Sequence, residues 1–259
     1  MNIEAGVLII NADDWGRDCQ TTDRTLECVR CGTVSAVSAM MLMKDSERAA
    51  RIAREQRIDA GLHLNFTTPF SEPGVSSVLL EHQHRLSSFL RASRLAQVVF
   101  HPGLVRSFRY VLAAQQDEFR RLYGAEPRRY DGHHHMHLCA NVLVGRLLPA
   151  GVVVRRNFSF QPGEKWFGNH LYRRAVDSFL ARRYCLTDYF FSLAPLEPPN
   201  RLQTILSLAR DHTVEVETHP IAPEEYRFLA GGKLLRNAPG DLLVAPRFLL
   251  GGHRQQSAH

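Results

Sequence analysis

The chain has 259 residues, 44% of them apolar, enough to bury one large α/β core or two small ones. No run approaches the ~18–20 apolar residues of a membrane-spanning helix, so an integral membrane segment is not expected. The net charge of +6 comes almost wholly from arginine, with lysine only at Lys44, Lys165 and Lys233. Those arginines are scattered and no compact nucleic-acid motif accompanies them, so nucleic acid is not an expected partner.

Val7 to Ile10 read as a short buried strand, with Asn11, Asp13, Asp14, Trp15 and Gly16 at its carboxyl end. The chain enters this strand without the basic and apolar segments of a secretory leader, which places it in the cytoplasm. Two adjacent carboxylates cannot both sit in apolar surroundings; they must face a metal, a hydrogen-bond network or water. A plain Asx-rich turn is the rival reading of the pair.

Residues 18–31 predict a helix with Cys19, Thr22, Leu26 and Val29 on one face, stopped by Gly32. Cys28 and Cys31 have CxxC spacing there, but no second such pair completes a zinc site, and helix cysteines are the simpler reading. Thr33 to Met43 reads as a second strand, 46–56 as a helix capped by Asp45 or Ser46, and Ile58 to Leu64 as a third strand running into Asn65. Residues 65–104 break the rhythm with Thr, Pro, Ser and Gly and form a candidate substrate loop. A helix over 105–123 has Val105, Phe108, Leu112, Phe119 and Leu122 at helical spacing and ends at Gly124.

Tyr130 to His137 then reads as a strand carrying a histidine cluster, followed by a helix at 139–148 and a strand at Val152 to Val154. An aromatic-rich loop at 157–170, with Phe158, Phe160, Trp166 and Phe167, leads into a helix over 169–184. A strand at 187–193, a helix over 200–211 and a strand from Thr213 to Glu217, ending at Thr218-His219-Pro220, complete the pattern. The tail from Ala222 onward reads as irregular. About seven strands alternating with helices predict a single α/β domain, a parallel sheet or barrel. The polar clusters at 13–14, 63–65, 131–137 and 219 all fall at carboxyl ends of strands, the ends that share one face in a βα barrel.

Four histidines within five residues after Asp131 point to metal binding, with His133, His135 and His137 on one side if the strand continues. A catalytic metal takes about three protein ligands and keeps a position open for water. One carboxylate of the Asp pair, His63 and one histidine of the cluster would supply that set.

Asn11-Ala-Asp-Asp-Trp-Gly16, Gly61-Leu-His-Leu-Asn65 and Asp131-Gly-His-His-His-Met-His137 resemble the motifs of the YdjC-like carbohydrate deacetylases, over roughly residues 6–220. That family includes diacetylchitooligosaccharide and hopanoid-associated deacetylases. The resemblance implies a distorted (β/α) barrel and one divalent metal ion held by Asp14, His63 and His133. It implies Asp13 as general base and His219 as acid, although Thr218 and Ile221 depart from the family's Cys-His-Pro-Gly pattern there. His101-Pro-Gly103 repeats the last letters out of order.

In this reading Asn11, Trp15, Asn65, Asp131, His135 and His137 orient ligands or touch the sugar, and Asp131 holds a histidine tautomer. Trp15 and the 158–167 aromatics could stack on a sugar, though core packing suits most of them better. The mixed Asp/His set suits zinc or another transition metal, whereas the family implies magnesium. The implied reaction is removal of an N-acetyl group from a free sugar, a sugar nucleotide or a glycolipid; a homo-oligomer is left open. Two rivals are a metal-dependent phosphoesterase and a carbohydrate- or glycolipid-binding protein of this fold without turnover.

Overall fold

The computed structural model describes residues 6–159, 167–197, 199–232, 234 and 243–244. Phe160, Trp166 and most of the tail lie outside the described residues. The chain divides into two compact units: Met1–Asp13, Asp23–Val37 and Val153–His259 form one, and Asp14–Thr22 with Ser38–Val152 the other.

In the first unit, strand β1 (Val7–Trp15, up to Asp13) pairs in parallel with β7 (Thr213–Thr218), from Val7 opposite Thr213 to Ala12 opposite Thr218. β7 pairs in parallel with β6 (Tyr189–Ser192), and the short β8 (Leu243–Val244) pairs with Val7 and Leu8. Leu8, Ile9 and Ile10 are fully buried, as the unbroken apolar run of a parallel strand requires. Ile9 lies beside Glu215 and Asn11 beside Glu217, so alternate positions of two adjacent strands bring acids and an amide together. Helices α6 (Phe167–Ala181), α7 (Pro199–Leu208) and α8 (Pro223–Ala230) belong to the same unit.

In the second unit, β3 (Ala60–Leu64) and β4 (Arg129–Gly132) run parallel, with His63 directly opposite Asp131. Helix α2 (Ser46–Glu55) buries Ala49, Ala50 and Ala53, and Gly16 (φ 87°) brings the backbone so near that a Cβ there would stand 3.2 Å from both Ser46 and Ala49. Helix α4 (Val105–Tyr123) buries Phe108, Val111, Leu112, Phe119 and Leu122, each worth about 1.5–3 kcal/mol when removed from water. Gly124, in the left-handed region at φ 71°, ends it by returning its N–H to the Arg120 carbonyl. Parallel strands joined by helices in both units are the α/β class that the sequence predicts.

Several local expectations are corrected. Residues 77–92, expected as part of a loop, form the helix α3 (Ser77–Ala92), opened by Ser76, whose hydroxyl accepts from the Leu79 N–H. The second strand is confined to β2 (Ala36–Ala39). Asp45 precedes α2 but makes no cap; its carboxylate takes both nitrogens of Arg48 instead. In α1 (Cys19–Arg30) the expected face member Cys19 is exposed while Thr22, Leu26 and Cys28 are buried. Part of the irregular tail is α8, which opens on Pro223 with Glu224 and Glu225 in its first turn, residues that suit a helix start. No described helix is long and apolar enough to cross a membrane.

Candidate functional site

The carboxylates are not at the end of β1 but inside it, and Asp14 holds a left-handed backbone, φ 64°. That conformation is uncommon for any residue but glycine and least unfavourable for Asp and Asn; it turns consecutive side chains out of strict alternation. Asp14 is 2% exposed. Its Oδ1 lies 2.9 Å from His133 Nδ1 and 3.4 Å from His63 Nε2, and its Oδ2 accepts from the half-exposed Arg17 at 3.1 Å. Burial pushes the Asp14 carboxyl up, but the hydrogen bonds and charges of His133 and His63 outweigh burial and hold it well below the usual carboxylate range.

His63 is fixed from behind. The β3–β4 register places Asp131 beside it, and His63 Nδ1 lies 2.7 Å from Asp131 Oδ1 while Ser38 donates to Oδ2 at 2.6 Å. A buried carboxylate flanked in this way accepts, so His63 Nδ1 donates to Asp131 while Nε2 is the ring atom turned toward Asp14. Asp131 thus fixes the orientation of the His63 ring.

The histidine cluster is not a strand. β4 ends at Gly132, and His133–Leu138 form tight turns joined across a kink at which His134 and His135 both take positive φ, 54° and 58°. The turn folds back so tightly that a Cβ on Gly132 would meet the His137 backbone nitrogen at 3.0 Å, so a larger residue there would have to push the turn outward. The expected period-two face of His133, His135 and His137 is therefore absent: His133 reaches Asp14, His137 is buried beneath Gly132, and His135 is half-buried. His134 instead meets Thr67 Oγ1 at 3.0 Å.

Asp14, His63 and His133 each offer a ligand atom, all within 4.8 Å of one another and all buried. One carboxylate and two imidazoles, one of them oriented by a buried acid, fit a divalent ion with N/O preference.

Asp13, one residue earlier, has different company. Both of its oxygens accept from Arg155, Oδ2 from Nη1 at 2.6 Å and Oδ1 from Nη2 at 2.7 Å, and Asn11 adds a donor at 2.8 Å. Arg155 is 1% exposed, donates to Glu215 at 2.8 Å and Glu217 at 3.3 Å, and lies 4.9 Å from the centre of the Phe190 ring. Sequence reading passed over Arg155, Glu215 and Glu217. The available signal was an arginine directly after a strand and two glutamates at period two within another, none of which an apolar core accepts unpaired.

His219 follows β7, half-buried, with its backbone N–H donating to Glu225 at 2.8 Å; Thr218 donates to the same oxygen at 2.6 Å. Trp15 and Asn65, expected to orient ligands or touch the sugar, have the following surroundings. Trp15 is fully buried and leaves no ring face for a sugar. Asn65 spends its side chain on its own turn, accepting from Thr67 and Thr68 and donating to the Thr68 carbonyl.

A family model described as YdjC-like protein matches residues 7–237. The chain belongs to the YdjC-like family. Among relatives of this YdjC-like chain, the mouse carbohydrate deacetylase is 30% identical over 143 residues, 52% of this chain and 44% of the relative. The chitooligosaccharide deacetylase of Proteus mirabilis is 31% identical over 135 residues, 52% of this chain and 51% of the relative. The chain thus spans about half the length of the curated relatives it matches. Among solved structures, an Enterococcus faecalis protein described as a cellobiose-phosphate cleavage protein superposes with a TM-score of 0.64 at 17% identity, covering 95% of this chain and 99% of that one. The Xyl-CE4 domain of a xylanase from the hindgut metagenome of Trinervitermes trinervoides does so at 0.53 with 6% identity, covering 99% and 93%. These likenesses show the fold alone.

Proposed function

We propose that this protein is a metal-dependent carbohydrate N-deacetylase, an amide hydrolase that removes the acetyl group from an acetylated amino sugar or its glycoconjugate. The observation that carries the reading is the buried Asp14–His63–His133 cluster with Asp131 behind His63. The names of the relatives support the substrate class.

Asp14, His63 and His133 would hold the ion. A divalent ion there supplies Lewis-acid polarisation of the acetyl oxygen and lowers the pKa of water. Asp13 takes the proton of the attacking water, and Arg155 with Asn11 holds the carboxylate in one orientation for that transfer. His219 returns a proton to the departing nitrogen, its backbone held by Glu225. The turn at 65–68, tied to the histidine turn through Thr67 and His134, contributes to the sugar-binding side.

The test is acetate release from N-acetylated sugars, sugar nucleotides and glycolipids with added Mg²⁺, Zn²⁺ or chelator. Release from at least one class, abolished by chelator and by Asp13→Asn while bound metal is retained, is the expected result. Wild-type turnover in Asp13→Asn removes Asp13 as the base. Sugar binding without acetate release from the metal-loaded protein supports the non-catalytic rival instead.

A further inference from the structure

Within the second unit, between Glu81 and Asp117, the chain has no acidic residue at all, yet it carries Arg85, Arg91, Arg94, Arg106 and Arg109. Arg85 is paired with Glu81, whereas Arg91, Arg106 and Arg109 are exposed and have no ion pair among the described residues. Among the described residues, this one-sign stretch contains four exposed apolar side chains close together in sequence: Leu95 is 68% exposed, Val99 50%, Val98 47% and Phe100 40%, with Tyr110 at 43% on α4.

The apolar side chains are held up by a built turn. The 3-10 segment at Arg94–Gln97 is opened by Ser93, whose hydroxyl accepts from the Leu95 N–H, and the Leu95 carbonyl accepts from both Val98 and Val99. Ala96 is buried beneath it. At the far side, His101 is clamped to Asn141 by a reciprocal pair of 2.9 Å hydrogen bonds and meets the Phe89 ring edge-on. Four neighbouring apolar side chains are thus presented to water by a turn that is anchored at its base and at its end. That arrangement costs solvation free energy unless something covers it.

We propose that the 95–100 turn with Arg91, Arg106 and Arg109 is a docking surface for an anionic lipid bilayer. The chemistry selects this occupant. Apolar side chains enter the headgroup–acyl boundary, while flanking arginines keep their guanidinium groups among lipid phosphates. Basic side chains beside an apolar tip recognise an anionic leaflet, and nothing acidic in the stretch opposes its negative potential. A second copy of the chain would bring like charges together across the patch. The surface is independent of the reaction proposed above, because docking is read without turnover.

The full chain is tested by co-sedimentation with vesicles of phosphatidylcholine alone and of phosphatidylcholine with phosphatidylglycerol. Expected is binding to the anionic vesicles only, weakening as salt rises. Arg106→Ser with Arg109→Ser lowers the partition constant roughly 10- to 30-fold, from the ordinary contribution of a basic residue near a charged membrane. Leu95→Ser with Val98→Ser and Val99→Ser lowers it at least about tenfold, since less apolar area enters the boundary. Circular dichroism and melting establish that each variant folds; if the apolar triple variant does not fold, the arginine pair and the salt series decide.

Three results overturn the proposal. The first is no binding to anionic vesicles at low salt. The second is binding unchanged by both sets of variants but lost with Lys44, Arg51 and Arg54→Ser, which assigns it to the basic groove along α2. The third is concentration-dependent self-association that the apolar variant abolishes without any vesicle binding, which assigns the patch to a second copy.

Discussion

Asp13 and Asp14 are neighbours in the chain with equal burial and different surroundings. Asp13 has a cation supplied by the protein: Arg155 takes both of its oxygens and is itself held by Glu215 and Glu217. Asp14 turns one oxygen toward two imidazoles and, among the described residues, meets the half-exposed Arg17 on the other. A carboxylate clasped by a buried guanidinium serves in a fixed orientation. A carboxylate facing two imidazole nitrogens has an oxygen to share with an ion. The two roles proposed for the pair rest on this difference in company rather than on the residues themselves.

The sharpest way to break the contrast is to exchange the carboxylates' fates. Asp14→Ala removes the only carboxylate of the proposed ligand set and should abolish stoichiometric metal binding, read by metal analysis after gel filtration. Asp13→Ala should leave bound metal near the wild-type amount. Equal metal content in both variants would erase the distinction between the two sites.

The second largest effect is expected on stability. Arg155→Met leaves Asp13, Glu215 and Glu217 buried without their shared guanidinium, and removing one partner of a buried ionic group costs about 3–5 kcal/mol. For a chain of this size that is a melting temperature roughly 6–20 °C lower. Adding Glu215→Gln should recover part of the loss by removing one of the stranded charges. A wild-type melting temperature for Arg155→Met would mean that Arg155 does not neutralise this cluster.

The proposed ligand set lies in local motifs, which is why sequence offers Asp14, His63 and His133 as candidates, three groups whose ligand atoms lie within 4.8 Å of one another in the structure. Helix α4 was equally legible because its apolar spacing and Gly124 stop are local. Helix α3 was not. Its buried positions are Leu79, Gln83, Leu86 and Leu90, and the glutamine in that series spends its side chain on the Thr68 carbonyl and Phe70 N–H, while Val78 and Leu80 face water. Tertiary demand there overrides the apolar period. The histidine turn misled for the opposite reason: period-two histidines look like a strand face, but two of them adopt left-handed φ. Arg155 escaped because its partners stand 142, 60 and 62 residues away in sequence, and only strand register brings them to it.

A subtler break concerns the acid behind His63. Asp131→Asn keeps the shape and removes the charge. The asparagine oxygen can still accept from His63 Nδ1, so the side chain has two choices, to present its oxygen or its amide to the ring, where the carboxylate has one. The Ser38 hydroxyl, 2.6 Å from the other oxygen, competes for the same decision. Loss of such a supporting partner typically weakens metal affinity about 10- to 100-fold, less than loss of a ligand. Titration of the metal-free variant with Zn²⁺, followed by calorimetry, should find a weakened but intact single site, with Ser38→Ala shifting affinity in the same direction by a smaller factor. An Asp131→Asn variant with wild-type affinity would mean that the proton on Nδ1 is fixed without the carboxylate, and His63 would then be an ordinary ligand with no dedicated support.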